Sequence, residues 1–411
     1  MKLLILGLNY APEPVGIGPY TTGLAEALAQ RGHVIEVVAG KPYYPQWRPY
    51  DGQPKGRTHT VENGVSVTRV PHFVPANPTG ARRLAHHASF AASSYGPIMA
   101  AASAGADLVL AIAPSLMSVP VAALAARAAG APLWVHVQDF EVEAAFATNL
   151  VRGGGRAERA ARAVEARILR SAAMVSTISP QMCAKLLEKG VPPARVFELR
   201  NWSNSAFAPD SSGGAAYRDE WHIGDRQVAL YSGNIANKQG IEIVIEAAQV
   251  LRDRSDLVFV ICGEGPNRAR LAELSAGLPN VQLHDLQPAA RMGELLSLAS
   301  VHLLPQIPGA ADLVLPSKLT NMLQSGRAVV ATAAPGTGLY AEVEGCGLLT
   351  PPGDVAALAA AIRELVDDPE RRSALGEAAR LRARERWSRD KIIDRFEQRA
   401  MALVSGRTNR L

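Results

Sequence analysis

Two doubly wound α/β halves, each a parallel sheet wrapped by helices, are the fold class that this 411-residue chain predicts. Three observations predict it. Short apolar runs alternate with longer helical patterns along the whole chain, as in βαβ units. The alternation breaks once, between 199 and 216, and then restarts. At roughly 100–200 residues per domain, the length holds two such units with a core each.

In the first half, residues 2–8 read as a buried strand, because Leu3-Leu4-Ile5-Leu6 is continuously apolar. A secretory leader is the weaker reading, since Asn9-Tyr10-Ala11-Pro12-Glu13 follows in place of a small-residue cleavage site. A helix over 20–31 ends at Gly32, and Val34–Ala39 is the second strand. Residues 41–60 carry Tyr43, Tyr44, Trp47, Tyr50 and several prolines, and read as a long mobile loop. Further strands are Val65–Val70, Leu108–Ile112, Leu133–Val137 and Met174–Thr177, with an Arg/Ala-rich helix from Arg156 to Ser171 before the last. The Pro, Ser, Gly and Ala of 208–216 mark a linker. Beyond it come strand Val228–Ser232, helix 240–252, strand Leu257–Cys262, helix 267–276, and strands Val281–His284, Val301–Leu304, Ala328–Thr332 and Gly347–Leu349. A final helix over 388–405 sets Ile392, Ile393, Phe396, Met401 and Leu403 on a charged background.

Composition narrows the function. With 48% hydrophobic and 20% charged residues, the chain is neither disordered, collagenous nor a coiled coil. A net charge of +5 fits an anionic ligand or membrane surface; a nucleic-acid binder would be more basic and more clustered. Cys183, Cys262 and Cys346 lie far apart with no CxxC pair, which points to a reducing compartment and away from a zinc site. No run approaches the ~18 apolar residues of a membrane span.

Function must lie in the loops at the carboxyl ends of the strands, where such sheets bind ligands. Gly16-Ile17-Gly18 stands between the first strand and first helix, either as a tight turn or as an anion cradle. Gly233-Asn234-Ile235-Ala236-Asn237-Lys238 repeats the arrangement in the second half. Only eight of the 43 basic residues are lysines, so Lys238 at a sheet end reads either as a surface residue or as a diphosphate clamp. Pro316-Ser317-Lys318-Leu319 opens a helix that ends at Gly326, the pattern of an anion-binding or merely capped N-terminus. His136-Val137-Gln138-Asp139-Phe140-Glu141-Val142-Glu143 runs off a strand with alternate carboxylates, costly at a sheet edge unless used. No Asp-x-Asp occurs, so no metal site is predicted.

Together these loops resemble the retaining glycosyltransferases of GT-B fold, family four. Four stretches carry the resemblance over nearly the whole chain: Gly16-x-Gly18, Leu24–Leu28 with Arg31-Gly32-His33-Val34, Cys262-Gly263-Glu264-Gly265-Pro266, and Pro316-Ser317-Lys318 through Gly326–Ala331. Asn9-Tyr10-x-Pro12-Glu13, Val137–Glu141, Gly233-Asn234-Ile235 with Lys238-Gln239-Gly240, and Asp312–Lys318 are similar to the colanic-acid-type exopolysaccharide enzymes, usually described as fucosyltransferases.

The resemblance implies two Rossmann-like domains facing a central cleft: 1–203 plus 389–411 for the acceptor, with the last helix crossing back, and 204–388 for a nucleotide-sugar donor. It implies that Lys238 contacts the diphosphate beside Gly233 and Asn234, and that Ser317, Lys318 and Leu319, after Pro316, present the helix N-terminus to the phosphates. Leu286-Gln287-Pro288 would line the base pocket. Asp139, with His136 and Gln138, would face the donor sugar, and Gly16 and Gly18 would close over the diphosphate. Two departures stand out. The family's paired glutamates fall at Leu313 and Asn321; Asn321 can still bond a ribose hydroxyl, and Asp312 stands one residue early in place of the first carboxylate. The family's basic residue after the second-half glycine is replaced by Asn234. The expected activity is metal-independent, retaining transfer with no cofactor, resting on Asp139, Lys238 and Asp312. The donor expected is GDP-fucose and the acceptor a lipid-linked saccharide; a mannosyl- or N-acetylhexosaminyltransferase is the alternative within the fold. A non-catalytic nucleotide-binding protein or an epimerase is the rival class, and the epimerase lacks its Tyr-x-x-x-Lys here. Arg82 and Arg83, followed by Phe90 and Tyr95, together with the arginines of 152–170, suit peripheral docking on the anionic cytoplasmic face of a membrane, although solvated helices carry arginines too.

Overall fold

The computed structural model describes residues 1–408 apart from 15, 141, 143–154, 204–211, 236–238 and 308–316. The chain forms two compact units, Met1–Asn201 with Asp390–Leu411, and Trp202–Arg389. Each is a Rossmann-like α/β unit.

The strands of the first unit are β1 (Lys2–Gly7), β2 (Val34–Gly40), β3 (Thr58–Glu62), β4 (Val65–Val70), β5 (Leu108–Ala113), β6 (Leu133–Val137), β7 (Met174–Thr177) and β8 (Val196–Glu198). They form one sheet in the order β3-β4-β2-β1-β5-β6-β7-β8. Every pairing is parallel except β3 with β4. Continuous apolar sequence suits the inner strands because helices cover both faces; β5 and β6 are buried at every position. Ile5 of β1 lies beside Val37 on one side and Leu110 on the other.

Two expectations for this unit change. Strand β3 begins inside the expected loop, and β8 forms just ahead of the expected pattern break, where no strand was expected. A two-residue Asn63-Gly64 turn, both residues at positive φ, folds β3 back on β4, as that dipeptide favours; β3 itself is exposed and polar, so it carries no apolar signal. The 42–50 segment is not loose either. Tyr43 is buried against Trp47, His72 and His86, and the Tyr50 hydroxyl donates to the Tyr44 carbonyl at 2.7 Å.

The final helix, Arg389–Thr408, belongs mostly to this first unit. Phe396 is fully buried on Trp134, with ring centroids 4.8 Å apart. Glu397 accepts from Arg31 at 2.6 Å and pairs with His33 at 2.7 Å.

The second unit contains β9 (Gln227–Ser232), β10 (Leu257–Cys262), β11 (Val281–His284), β12 (Val301–Leu304), β13 (Ala328–Thr332) and β14 (Leu348–Thr350), all parallel, in the order β11-β10-β9-β12-β13-β14. The expected linker shrinks at its far end. Residues 215–220 are helical, with Tyr217 buried on Trp221 at 4.3 Å, while 208–211 lie outside the described residues.

In both sheets the chain order reverses beside the first strand, between β1 and β5 and between β9 and β12. Those reversals open crevices at the carboxyl ends of the strands, the usual ligand position in open α/β sheets.

Candidate functional site

At the β9/β12 reversal, the chain leaves β9 through Gly233, whose φ of 142° suits glycine and few other residues. The next strand's loop lies directly against it. The Gly233 amide donates to the Cys262 carbonyl at 3.0 Å, the Ile235 amide to the Glu264 carbonyl at 2.8 Å, and the Asn267 amide to the Ile235 carbonyl at 3.1 Å. Gly263 and Gly265 allow this approach: a Cβ on either would overlap the carbonyl oxygen of Gly233 or Ile235. Arg268 braces the same edge, donating to the carbonyls of Gly263 and His284 at 3.0 Å and pairing with Asp285.

Lys318 reaches this loop from the helix Ser317–Ser325. The helix is oriented by Leu319, Met322 and Leu323, all buried in the core with β13 residues Val329 and Ala331. Lys318 Nζ lies 3.3 Å from where a Cβ on Gly233 would stand. It donates to the Tyr231 hydroxyl at 2.8 Å and sits 4.1 Å over that ring. The hydroxyl in turn donates to the Asn234 carbonyl at 2.6 Å. Burial pulls the Lys318 ammonium down to about 8, since a low-dielectric site disfavours charge. One turn along the helix, Asn321 Oδ1 is buried without a hydrogen-bond partner among the described residues. A cation held over a glycine turn, with an amide acceptor alongside, can receive an anion and a hydroxyl.

Other expected residues fare differently. Leu319 is wholly in the core, so only its backbone can face a ligand. Leu286 is exposed, and Gln287 accepts from the Tyr217 hydroxyl at 3.0 Å while donating to the Asp285 carbonyl at 2.7 Å. Lys238, Asp312, Leu313 and Pro316 lie outside the described residues, as does the Ser317 side chain.

In the first unit, Gly16 has φ 73°, and a Cβ there would stand 3.0 Å from the Tyr44 ring. A Cβ on Gly18 would stand 3.1 Å from that of Glu13. Glu13 is the residue that sequence reasoning missed, its signal being only the Pro12-Glu13 pair. It is 3% exposed, and accepts from the amides of Tyr43 at 2.9 Å and Tyr44 at 3.0 Å and from Asn9 at 2.8 Å. It thereby ties the β1 loop to the aromatic segment. Burial raises its pKa, against those three hydrogen bonds.

At the end of β6, His136 is buried in a hydrogen-bond chain. Trp134 donates to Ser176 Oγ at 2.7 Å, His136 Nδ1 meets the same oxygen at 2.9 Å, and the Gln138 amide donates to His136 Nε2 at 3.0 Å. Gln138 and Asn201 bond reciprocally at 2.8 and 2.9 Å. Desolvation pulls His136 down to about 4, so it is neutral at physiological pH. Asp139 is exposed. The expected desolvation cost therefore does not apply to it, and Glu141 and Glu143 lie outside the described residues.

Residues 15–202 match the model of the glycosyl transferase 4-like domain, and residues 215–382 that of the glycosyl transferases group 1. The chain is 40% identical over 389 residues to the colanic acid biosynthesis glycosyl transferase WcaI of Escherichia coli K12, covering 92% of this chain and 95% of that protein. It is 29% identical over 263 residues to the alpha-D-kanosaminyltransferase of Streptomyces kanamyceticus, covering 62% of this chain and 67% of that protein. Among solved structures, HepE of Anabaena in complex with UDP-glucose superposes with a TM-score of 0.67 at 16% identity, covering 98% of this chain and 100% of that one.

Proposed function

The chain belongs to the group 1 glycosyltransferases of GT-B fold, and from that premise we propose that it moves a sugar from a nucleotide-sugar donor, with retention and without a metal. The observation that supports this reading best is the Lys318 ammonium held over Gly233 at the carboxyl end of β9. A leaving diphosphate needs its developing charge met. In this reading Lys318 and Lys238 meet it, with the N-terminus of the helix Ser317–Ser325 behind them. The bond from the anomeric carbon to the phosphate breaks as the bond to the acceptor oxygen forms on the same face. The departing phosphate oxygen takes the acceptor's proton. Asn321, whose Oδ1 has no partner among the described residues, takes a ribose hydroxyl. The resemblance assigns Asp139 and Asp312 to the donor sugar.

The pathway is exopolysaccharide assembly of the colanic-acid type, by similarity to the E. coli relative. GDP-fucose as donor and a lipid-linked saccharide as acceptor rest on the resemblance alone. Residues 1–203 with 389–411 are assigned to the acceptor and 204–388 to the donor. Among the described residues no helix is long and apolar enough to cross a membrane. Docking from the cytoplasmic side is assigned to the helix Gly80–Ser103, where Arg82, Leu84 and Tyr95 are exposed; Phe90, expected on the docking face, is instead fully buried in the core and takes no part.

The test is release of nucleoside diphosphate from GDP-, UDP-, ADP- and dTDP-sugars with metal chelated. Release from a GDP-sugar supports the reading, whereas a strict metal requirement or a preference for UDP-sugars overturns the corresponding part. Sedimentation with anionic and neutral vesicles tests the docking: salt-insensitive recovery in the supernatant with both would refute it.

A further inference from the structure

The ammonium of Lys318 has three N–H donors, and a buried lysine gains nothing from wandering. One donor is taken by the Tyr231 hydroxyl at 2.8 Å, and the same ring lies 4.1 Å beneath the charge. Tyr231 is fully buried, so its ring cannot turn away. Its hydroxyl proton is committed to the Asn234 carbonyl at 2.6 Å, which leaves the oxygen lone pairs for the lysine. Asn234 carries no charge, so this backbone carbonyl, reached through a phenol, is what sets the position of the cation. The chain Asn234 carbonyl, Tyr231 hydroxyl, Lys318 ammonium thus runs from the Gly233 turn to the helix Ser317–Ser325.

Resting on the reading of Lys318 as a diphosphate contact, we propose that Tyr231 is a positioning residue that holds the Lys318 ammonium over Gly233 and so sets the affinity for the nucleoside diphosphate. The phenol serves twice: as an acceptor for one N–H and as a π-face that steadies the charge in a partly buried site. Among the described residues, no other titratable group is close enough to move Lys318; burial alone lowers it.

The experiment measures binding of GDP and UDP by calorimetry to wild type, Tyr231→Phe and Lys318→Met, from pH 6 to 10. Tyr231→Phe keeps the ring and removes the hydrogen bond. Its nucleotide affinity falls about tenfold at pH 7, and the alkaline limb of its affinity profile moves to lower pH, because the ammonium has lost its acceptor. Affinity within twofold of wild type with an unmoved limb overturns the role of Tyr231. Wild-type-like binding by Lys318→Met overturns instead the diphosphate reading beneath it. Should Tyr231→Phe fail to fold, 3-fluorotyrosine at position 231 keeps the shape while weakening the acceptor oxygen and the ring face, and it lowers nucleotide affinity in the same direction; unchanged affinity overturns the role of Tyr231. A wild-type affinity profile flat to pH 10 overturns instead the diphosphate reading of Lys318, whose pKa burial lowers.

Discussion

Replacing Gly263 by alanine tests the architecture of the donor-side loop most directly. The added Cβ would overlap the Gly233 carbonyl oxygen and stand 3.1 Å from its carbon and 3.2 Å from Ile235 Cγ1. Two of those three atoms are backbone, so no rotamer change relieves the contact. Either β10 or the Gly233 turn must move. Overpacking of this kind costs about 1–3 kcal/mol. The amide bonds of Gly233 to Cys262 at 3.0 Å and Ile235 to Glu264 at 2.8 Å bridge the same gap, and weakening each adds about 0.5–1.5 kcal/mol. The expected loss lies between about 2 and 6 kcal/mol, a large share of the 5–15 kcal/mol typical of a folded protein. A shift of the Gly233 turn weakens nucleotide binding beyond what lost stability explains, whereas a shift of β10 alone does not. Urea denaturation read by circular dichroism gives the first quantity, and GDP titration of the remaining folded protein gives the second. Gly277→Ala is the control: nothing lies within 4 Å of its Cβ, and only its left-handed φ of 81° is strained, worth about 1–2 kcal/mol. If Gly263→Ala costs no more than Gly277→Ala and binds GDP normally, the backbone-on-backbone account is wrong.

Three further outcomes are expected. Burial holds His136 near 4 against an ordinary value of 6.5, so between those values the unfolded chain binds a proton that the folded one does not, and stability falls as pH drops through this window by on the order of 3 kcal/mol; His136→Phe should flatten that slope by one proton in pH-dependent denaturation, and an unchanged slope would contradict the burial. Phe396→Ala removes a fully buried ring from Trp134 and should cost about 3–5 kcal/mol, visible as a drop in Tm; a loss below 1 kcal/mol would mean that the last helix is not anchored there. Glu13→Ala removes the one oxygen that accepts both the Tyr43 and the Tyr44 amide, an expected loss of about 1–3 kcal/mol, with faster hydrogen exchange confined to 42–50; uniform exchange would show that Glu13 is no tie.

Much of the fold was written in the chain because a strand buried on both faces is a continuous apolar run. Leu257–Cys262 and Val301–Leu304 could therefore be located to the residue. Edge strands escape that logic: Thr58–Glu62 is polar and exposed, and only the Asn63-Gly64 turn announces it. The glycine loops and rare lysines marked where an anion could bind, since both act through local backbone freedom and charge. What no local pattern contains is which distant groups meet. Lys318 stands over Gly233 because β12 lies beside β9 in the sheet, and Tyr231 supports it because its ring is buried there. Glu13 tied to Tyr43 and Tyr44 is likewise a product of β1 lying against β2. Exposure is decided the same way: Asp139 reaches solvent while His136, three residues earlier, is sealed in a hydrogen-bond chain. Sequence sets the periodicity and the chemistry of each segment; strand order, a long-range property of packing, sets which of those chemistries share a crevice.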